Sequence, residues 1–236
     1  MNRIWQNIPS MAFKKGLYDG ISTIREAKGR GDFGVGQFAS LDGELTVRDG
    51  SFYRARSDGS VVLAEDTDEL CFAQLCFYQP ERNWDAPANI DDQSFGSFFR
   101  QVWPFPNSFS GFRIVGTFAK VVPTSPPALA KPYPTFDAVG ALRKSFPASN
   151  IMGCIVGYYS PVFTTDVGVP GYHFHFISDD RRSSGHVTSF WLASGRIDAA
   201  RVDVPMQPRG CIAQAWSVAE LLRGWTVIEN YKSGQK

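Results

Sequence analysis

All three histidines of this 236-residue chain fall within fourteen positions, His173, His175 and His186, in the run GYHFHFISDDRRSSGH. Side chains at i and i+2 of a strand leave the same face, so His173 and His175 project together while Phe174 and Phe176 point to the opposite side. The polar turn Ser178–Gly185 can bring the next strand back alongside, and His186 joins the pair if the hairpin register puts it on that face. The sequence leaves that parity open. Three neutral imidazoles with positions left for water or a reactant suit a catalytic zinc ion, and Mn, Fe, Ni or Cu accept the same nitrogens. A structural zinc site would want four protein ligands. One isolated histidine would read as an ordinary hydrogen-bonded side chain; the clustering of all three favours a metal.

Other spacings carry less chemistry. Gly29, Gly31 and Gly34 match G-x-G-x-x-G, but that loop has to leave a strand and open a helix to present amides to a pyrophosphate. Here a helix is expected before it and a strand after it, so these glycines read as connectors. The run Asp179-Asp180-Arg181-Arg182 reads as a solvated turn rather than a substrate clamp. Glu44 follows the turn Leu41-Asp42-Gly43, where it could be presented into a cleft, although most strand-end glutamates are solvated and the residue pattern alone does not select it. The four cysteines (Cys71, Cys76, Cys154, Cys211) are scattered. None of them sits in a zinc-ligand spacing, so they read as small buried hydrophobes.

The elements that must position these residues are largely strands. Three Asp-Gly pairs, at Asp42, Asp49 and Asp58, each favour a tight turn. Between them Phe33–Leu41, Glu44–Arg48, Ser51–Arg56 and Val61–Ala64 read as an antiparallel meander, followed by a strand at Cys71–Tyr78. A short helix is expected over Tyr18–Lys28. Phe95, Phe98, Phe99 and Val102 lie at i, i+3, i+4 and i+7 behind a capping Asp pair, which predicts an amphipathic helix over Asp91–Trp103. Phe112–Val122 reads as a strand. The prolines at 123, 126, 127, 132 and 134 then mark the best boundary, dividing an N-terminal sheet domain (1–133) from a C-terminal metal-binding β domain (134–236). Beyond it come a helix capped by Thr135 with Phe136, Val139 and Leu142 on one face, and a buried strand at Ile151–Tyr159. Strands at Tyr172–Ile177 and His186–Leu192 follow, with a last helix over Val218–Glu229.

Composition narrows the function classes. A 43% apolar and 20% charged chain is ample for one substantial core or two smaller ones. Lys+Arg 24 against Asp+Glu 23 leaves a net charge of +1, without the basic excess on which nucleic-acid binding rests. The longest apolar stretch falls well short of the ~20 residues a membrane helix needs. The opening MNRIWQNIPSMAFKKGL lacks the features of a secretory signal, so the expected setting is the cytoplasm, with no membrane and no nucleic-acid partner.

The motifs GDFGVGQF and LDGE (the latter ending at Glu44), then FRIVGTF, KPYPTF, GYYSP, VPGYHFHFISDDR and GH, occur in one order from about Leu17 to Glu229. In these motifs the chain resembles the alpha-acetolactate decarboxylases. The resemblance implies a two-part α/β (α+β) architecture, with mixed and antiparallel sheets flanking a metal cleft, and a homodimer. It implies Zn2+ on His173, His175 and His186, Glu44 as a catalytic acid, and Glu229 as a second one. It implies a carbon-carbon lyase that decarboxylates 2-acetolactate to acetoin, or a related hydroxy-oxo acid, by stabilising an enediolate. Two departures fall on positions expected to bind substrate. Thr124 stands where the family has an arginine, and Gln37 where it has a threonine. Loss of that guanidinium predicts weaker handling of acetolactate or another substrate. Two further readings keep the same site: metal-assisted enolisation, isomerisation or cyclisation of another carbonyl compound, and non-catalytic binding of a metal or small acid.

Overall fold

Asp49 and Gly50 both take positive φ, 51° and 75°. They close β5 (Glu44–Arg48) onto β6 (Ser51–Ala55) as a two-residue turn whose twist suits a hairpin. Gly43 and Gly59, at φ 105° and 89°, serve the turns that lead into β5 and into β7 (Val61–Leu63). The computed structural model describes residues 2–203 and extends this meander into a seven-stranded sheet. Its remaining strands are β2 (Trp5–Gln6), β3 (Ser22–Thr23), β4 (Phe33–Phe38) and β8 (Glu69–Cys76). The order is β2-β8-β4-β5-β6-β7, with β3 also on β8.

The second sheet is built on four long strands: β11 (Ser110–Ser125), β13 (Ala148–Ser160), β14 (Gly171–Ser178) and β15 (Ser184–Asp203). β11 pairs with β13 and with β15, β13 with β14, and β14 with β15, so the four close on themselves. The short strands β1 (Asn2–Arg3), β9 (Arg82–Asp85) and β10 (Ile90–Asp91) join β15, and β12 (Lys144–Ser145) joins β11. Between β10 and β11 in sequence, α3 (Asp92–Val102) starts from a reciprocal cap. Ser94 N–H donates to the Asp91 carboxylate at 2.8 Å, and Asp91 N–H donates to Ser94 Oγ at 3.0 Å. Its Phe95 and Phe99 are buried against Phe112, Ile155, Phe174 and Phe176.

Strand alternation then decides what faces the other sheet. While Phe174 and Phe176 pack toward α3, Ile177 joins Cys154, Val156 and Tyr158 against Phe33, Val35, Tyr53 and Cys76 of the first sheet. His173 and His175 share the parity of Ile177 and so face the seam between the sheets. Cys71, Cys76 and Cys154 are free and buried, as expected, and Cys211 lies outside the described residues.

Three expectations change. The helix expected over Tyr18–Lys28 is only α2 (Ile24–Lys28), because Thr23 and Glu26 cap it reciprocally and Ser22 and Thr23 before it pair with β8 instead. Pro123 lies inside β11, at a register shift between Val122 and Pro123 that removes the demand on its missing N–H. The expected boundary at 133/134 does not separate two sheets. β11 before it pairs directly with β13 and β15 after it, so the proline-rich segment is a connection within one sheet. The helix over Val218–Glu229 and Glu229 itself lie outside the described residues. Among the described residues no helix is long and apolar enough to cross a membrane.

Candidate active site

The register resolves the parity that the sequence leaves open. His186 stands directly opposite His175 across β14 and β15, and His173 lies two residues along β14 on the same face. The three ring centroids are 5.0, 5.1 and 5.4 Å apart, and one nitrogen from each ring lies within 4.8 Å of the others. Gly185 makes this convergence possible. Its φ of 144° and its lack of a side chain let β15 start against β11, where a Cβ would lie 2.6 Å from the Thr124 carbonyl oxygen. His186 therefore has His175 on one side and Thr124 on the other.

The first sheet contributes from across the seam. The Leu45 carbonyl sits 2.8 Å from His175 Nδ1, so that nitrogen carries the proton and donates, leaving the Nε2 lone pair free. Metal-ligating imidazoles are commonly oriented by such a bond. Ser184 Oγ donates to Thr46 Oγ1 at 3.1 Å and holds the two sheets together beside the site. Glu44, on β5, is 3% exposed and faces His175 Nε2 at 3.6 Å. Burial raises its pKa, and the adjoining Arg143 guanidinium opposes that rise. Burial lowers all three histidines: His173 to about 4, with the charge of Arg143 adding to the effect, and His175 and His186 well below their ordinary value, with the neighbouring imidazoles and then Arg143 adding. The trio is thus neutral near pH 7, the state in which imidazole ligates a metal. His175 and Glu44 are accordingly not an ion pair. His173 Nδ1 is buried without a hydrogen-bond partner among the described residues, a costly arrangement for a nitrogen that does not ligate. These donors fit a divalent transition metal.

A cavity of about 250 Å³ opens over the site. That is below the usual range for drug-sized ligands and suits a small acid. It is lined by His173, His175, His186, Glu44, Gln37 and Arg143, and by a largely aromatic wall of Phe13, Phe72, Phe136 and Tyr172. Gln37 lies opposite Glu44 in the β4–β5 ladder and donates from Nε2 to the Gly43 carbonyl at 2.6 Å, so its amide clasps the turn that presents Glu44. Thr124 is 3% exposed and does not line the cavity. Its Oγ1 donates to the His186 carbonyl at 3.1 Å and accepts from Arg143 Nε at 3.1 Å.

Arg143 is the residue that sequence reasoning missed. A guanidinium is present in the cleft after all, but it comes from a turn nineteen positions beyond Thr124, and its Nη2 is bonded to the Glu44 carboxylate. No spacing marks it. Only the pairing of β12 with β11, Ser145 opposite Thr124, carries it there. The aromatic wall was equally invisible, because Phe13 and Phe136 come from short helices, α1 (Ser10–Lys14) and α4 (Phe136–Gly140), whose docking is tertiary.

Residues 4–207 match a family model described as alpha-acetolactate decarboxylase. The chain is 36% identical over 191 residues to the alpha-acetolactate decarboxylase of Bacillus licheniformis, covering 80% of this chain and 75% of that one. With the Bacillus subtilis protein of the same name it is 35% identical over 193 residues, covering 81% of this chain and 75% of that one. A crystal structure of alpha-acetolactate decarboxylase from Bacillus subtilis superposes with a TM-score of 0.82 at 31% identity, covering 87% of this chain and 90% of that one.

Proposed function

Because the chain belongs to the alpha-acetolactate decarboxylase family, we propose that it is a zinc-dependent carboxy-lyase. It converts 2-acetolactate, or a closely related 2-hydroxy-3-oxo acid, to the hydroxy ketone and carbon dioxide. One observation carries this reading: three neutral imidazoles, a buried carboxylate and a guanidinium converge on a single small cavity. His173, His175 and His186 would hold the ion. A zinc ion held there would supply Lewis acidity, the chemistry that lowers the cost of the electron pair left behind when carbon dioxide departs.

The remaining work falls to side chains. A proton has to return to carbon, and Glu44, raised by burial, keeps a proton to higher pH than an exposed glutamate and so serves as its donor. Gln37 steadies that donor through the Gly43 carbonyl. The Leu45 carbonyl keeps His175 in the tautomer whose Nε2 can ligate. Phe13, Phe72, Phe136 and Tyr172 keep the cavity apolar around the polar floor, where electrostatic interactions are stronger than in water. Glu229 belongs to the same proposal as a second acid. Zinc-loaded protein is incubated with racemic 2-acetolactate and followed by NMR beside a chelator-treated control. Acetoin formed only with metal is the expected result; no acetoin above the control, or an isomer in its place, overturns the reading.

A further inference from the structure

We propose that Arg143 is the cation that binds the substrate carboxylate in this site, and that Thr124 is the residue that positions it. The inference rests on the decarboxylase reading and adds to it which residue receives the acid, and from where in the chain.

Arg143 follows α4 and directly precedes β12, whose Lys144 and Ser145 pair with Ser125 and Thr124 of β11. Its backbone is thereby held next to Thr124. The Nε of the side chain donates to Thr124 Oγ1 at 3.1 Å and its Nη2 bonds Glu44, which fixes the plane of the guanidinium. A guanidinium has five N–H donors. Nη1 has no partner among the described residues, and the side chain, 16% exposed, lines the cavity beside the histidines. The unspent donors form the planar fork that matches a carboxylate, which a lysine ammonium does not reproduce. Among the described residues the other cation lining the cavity is Lys14, which sits exposed on the short α1. The charge of Arg143, by contrast, is felt by Glu44 and by all three histidines.

Thr124 completes the argument because it is small. Its hydroxyl is shared between the His186 carbonyl and Arg143 Nε, and its short side chain leaves the space that the arginine fills. An arginine at position 124 would put a second guanidinium against the first and beside His186. The cation and its seat are therefore a coupled pair: placing arginine at 124 alone harms the site, and placing it there while removing Arg143 restores a guanidinium.

The experiment uses zinc-loaded full-length protein with two readouts, acetoin formation and calorimetric binding of 2-hydroxyisobutyrate, a hydroxy acid with no ketone and hence inert. Arg143→Ala is expected to lower kcat/KM about 10²-fold or more and to weaken binding of the inert acid at least about tenfold, with zinc content unchanged. Arg143→Lys recovers only part of either. Thr124→Val raises KM more than it lowers kcat, and Thr124→Ser restores both. Thr124→Arg alone does not raise activity, whereas Thr124→Arg with Arg143→Ala exceeds Arg143→Ala by about tenfold or more. Wild-type binding of the inert acid by Arg143→Ala, or a gain of activity in Thr124→Arg alone, overturns the proposal. If the wild type releases no carbon dioxide yet binds the inert acid in an Arg143-dependent way, the decarboxylase reading fails and this one stands. If it turns acetolactate over and Arg143 is dispensable, this one fails alone.

Discussion

Acid should unfold the metal-free protein through its histidines, by an amount the structure sets. His173 takes up a proton at about 4 in the fold rather than at the ordinary 6.5, because burial and the charge of Arg143 disfavour the imidazolium. Between those values the unfolded chain binds more protons than the folded one, so stability rises with pH through the window and is lost as pH falls through it. At about 1.4 kcal/mol per pH unit, the shift amounts to about 3 kcal/mol once titration is complete and about 2 kcal/mol at pH 5. His175 and His186 are displaced in the same direction and add to the loss. Glu44 works the opposite way: its raised pKa makes its charge a cost to the fold at high pH, a cost relieved as it protonates. Urea unfolding in EDTA at pH 7.5 and pH 5, compared between wild type and His173→Gln, cancels Glu44 and every other common carboxylate. With a slope of about 2–3 kcal/mol per M, the wild type should lose about 1 M more of its midpoint than the variant. Saturating zinc, with the chelator left out, should restore it, since a bound ion holds the imidazoles neutral and binds the preassembled trio of the fold more tightly than the unfolded chain. Equal losses in the two proteins would refute a buried, neutral His173.

Two other outcomes follow from the same geometry. Glu44→Gln keeps the shape of the side chain but not its proton, so turnover should fall about 10²- to 10⁴-fold while zinc stoichiometry, read by metal analysis, is unchanged; undiminished turnover would remove Glu44 from proton delivery. Phe95→Ala empties a fully buried position where α3 meets Phe112, Phe174 and Phe190, and should cost about 3–5 kcal/mol in denaturant unfolding.

Features that depend on near neighbours in the chain were readable without a structure. The Asp49-Gly50 turn, the Asp91 cap of α3 with Phe95 and Phe99 on its buried face, and the common face of His173 and His175 all follow from local conformational preference and from periods of 3.6 or 2. Local pattern failed at Pro123, which breaks a regular ladder but is accommodated where β11 shifts register. It failed again at the proline-rich segment, whose composition marks a connection and does not say whether the strands on either side share a sheet.

The amino-acid order alone put two histidines on one side of a strand and a third within reach of a hairpin. The tertiary structure decided that His186 lies opposite His175, that Glu44 arrives from the other sheet, and that Arg143 sits where Thr124 has no charge to offer. The physical reason is that alternation along a strand is set by covalent geometry. Register between strands and the choice of partners across a seam are instead set by how the whole chain buries its apolar faces and satisfies its polar groups. Buried Glu44 needs a hydrogen-bond partner, and the fold supplies the Arg143 guanidinium from a segment that nothing in its own sequence distinguishes.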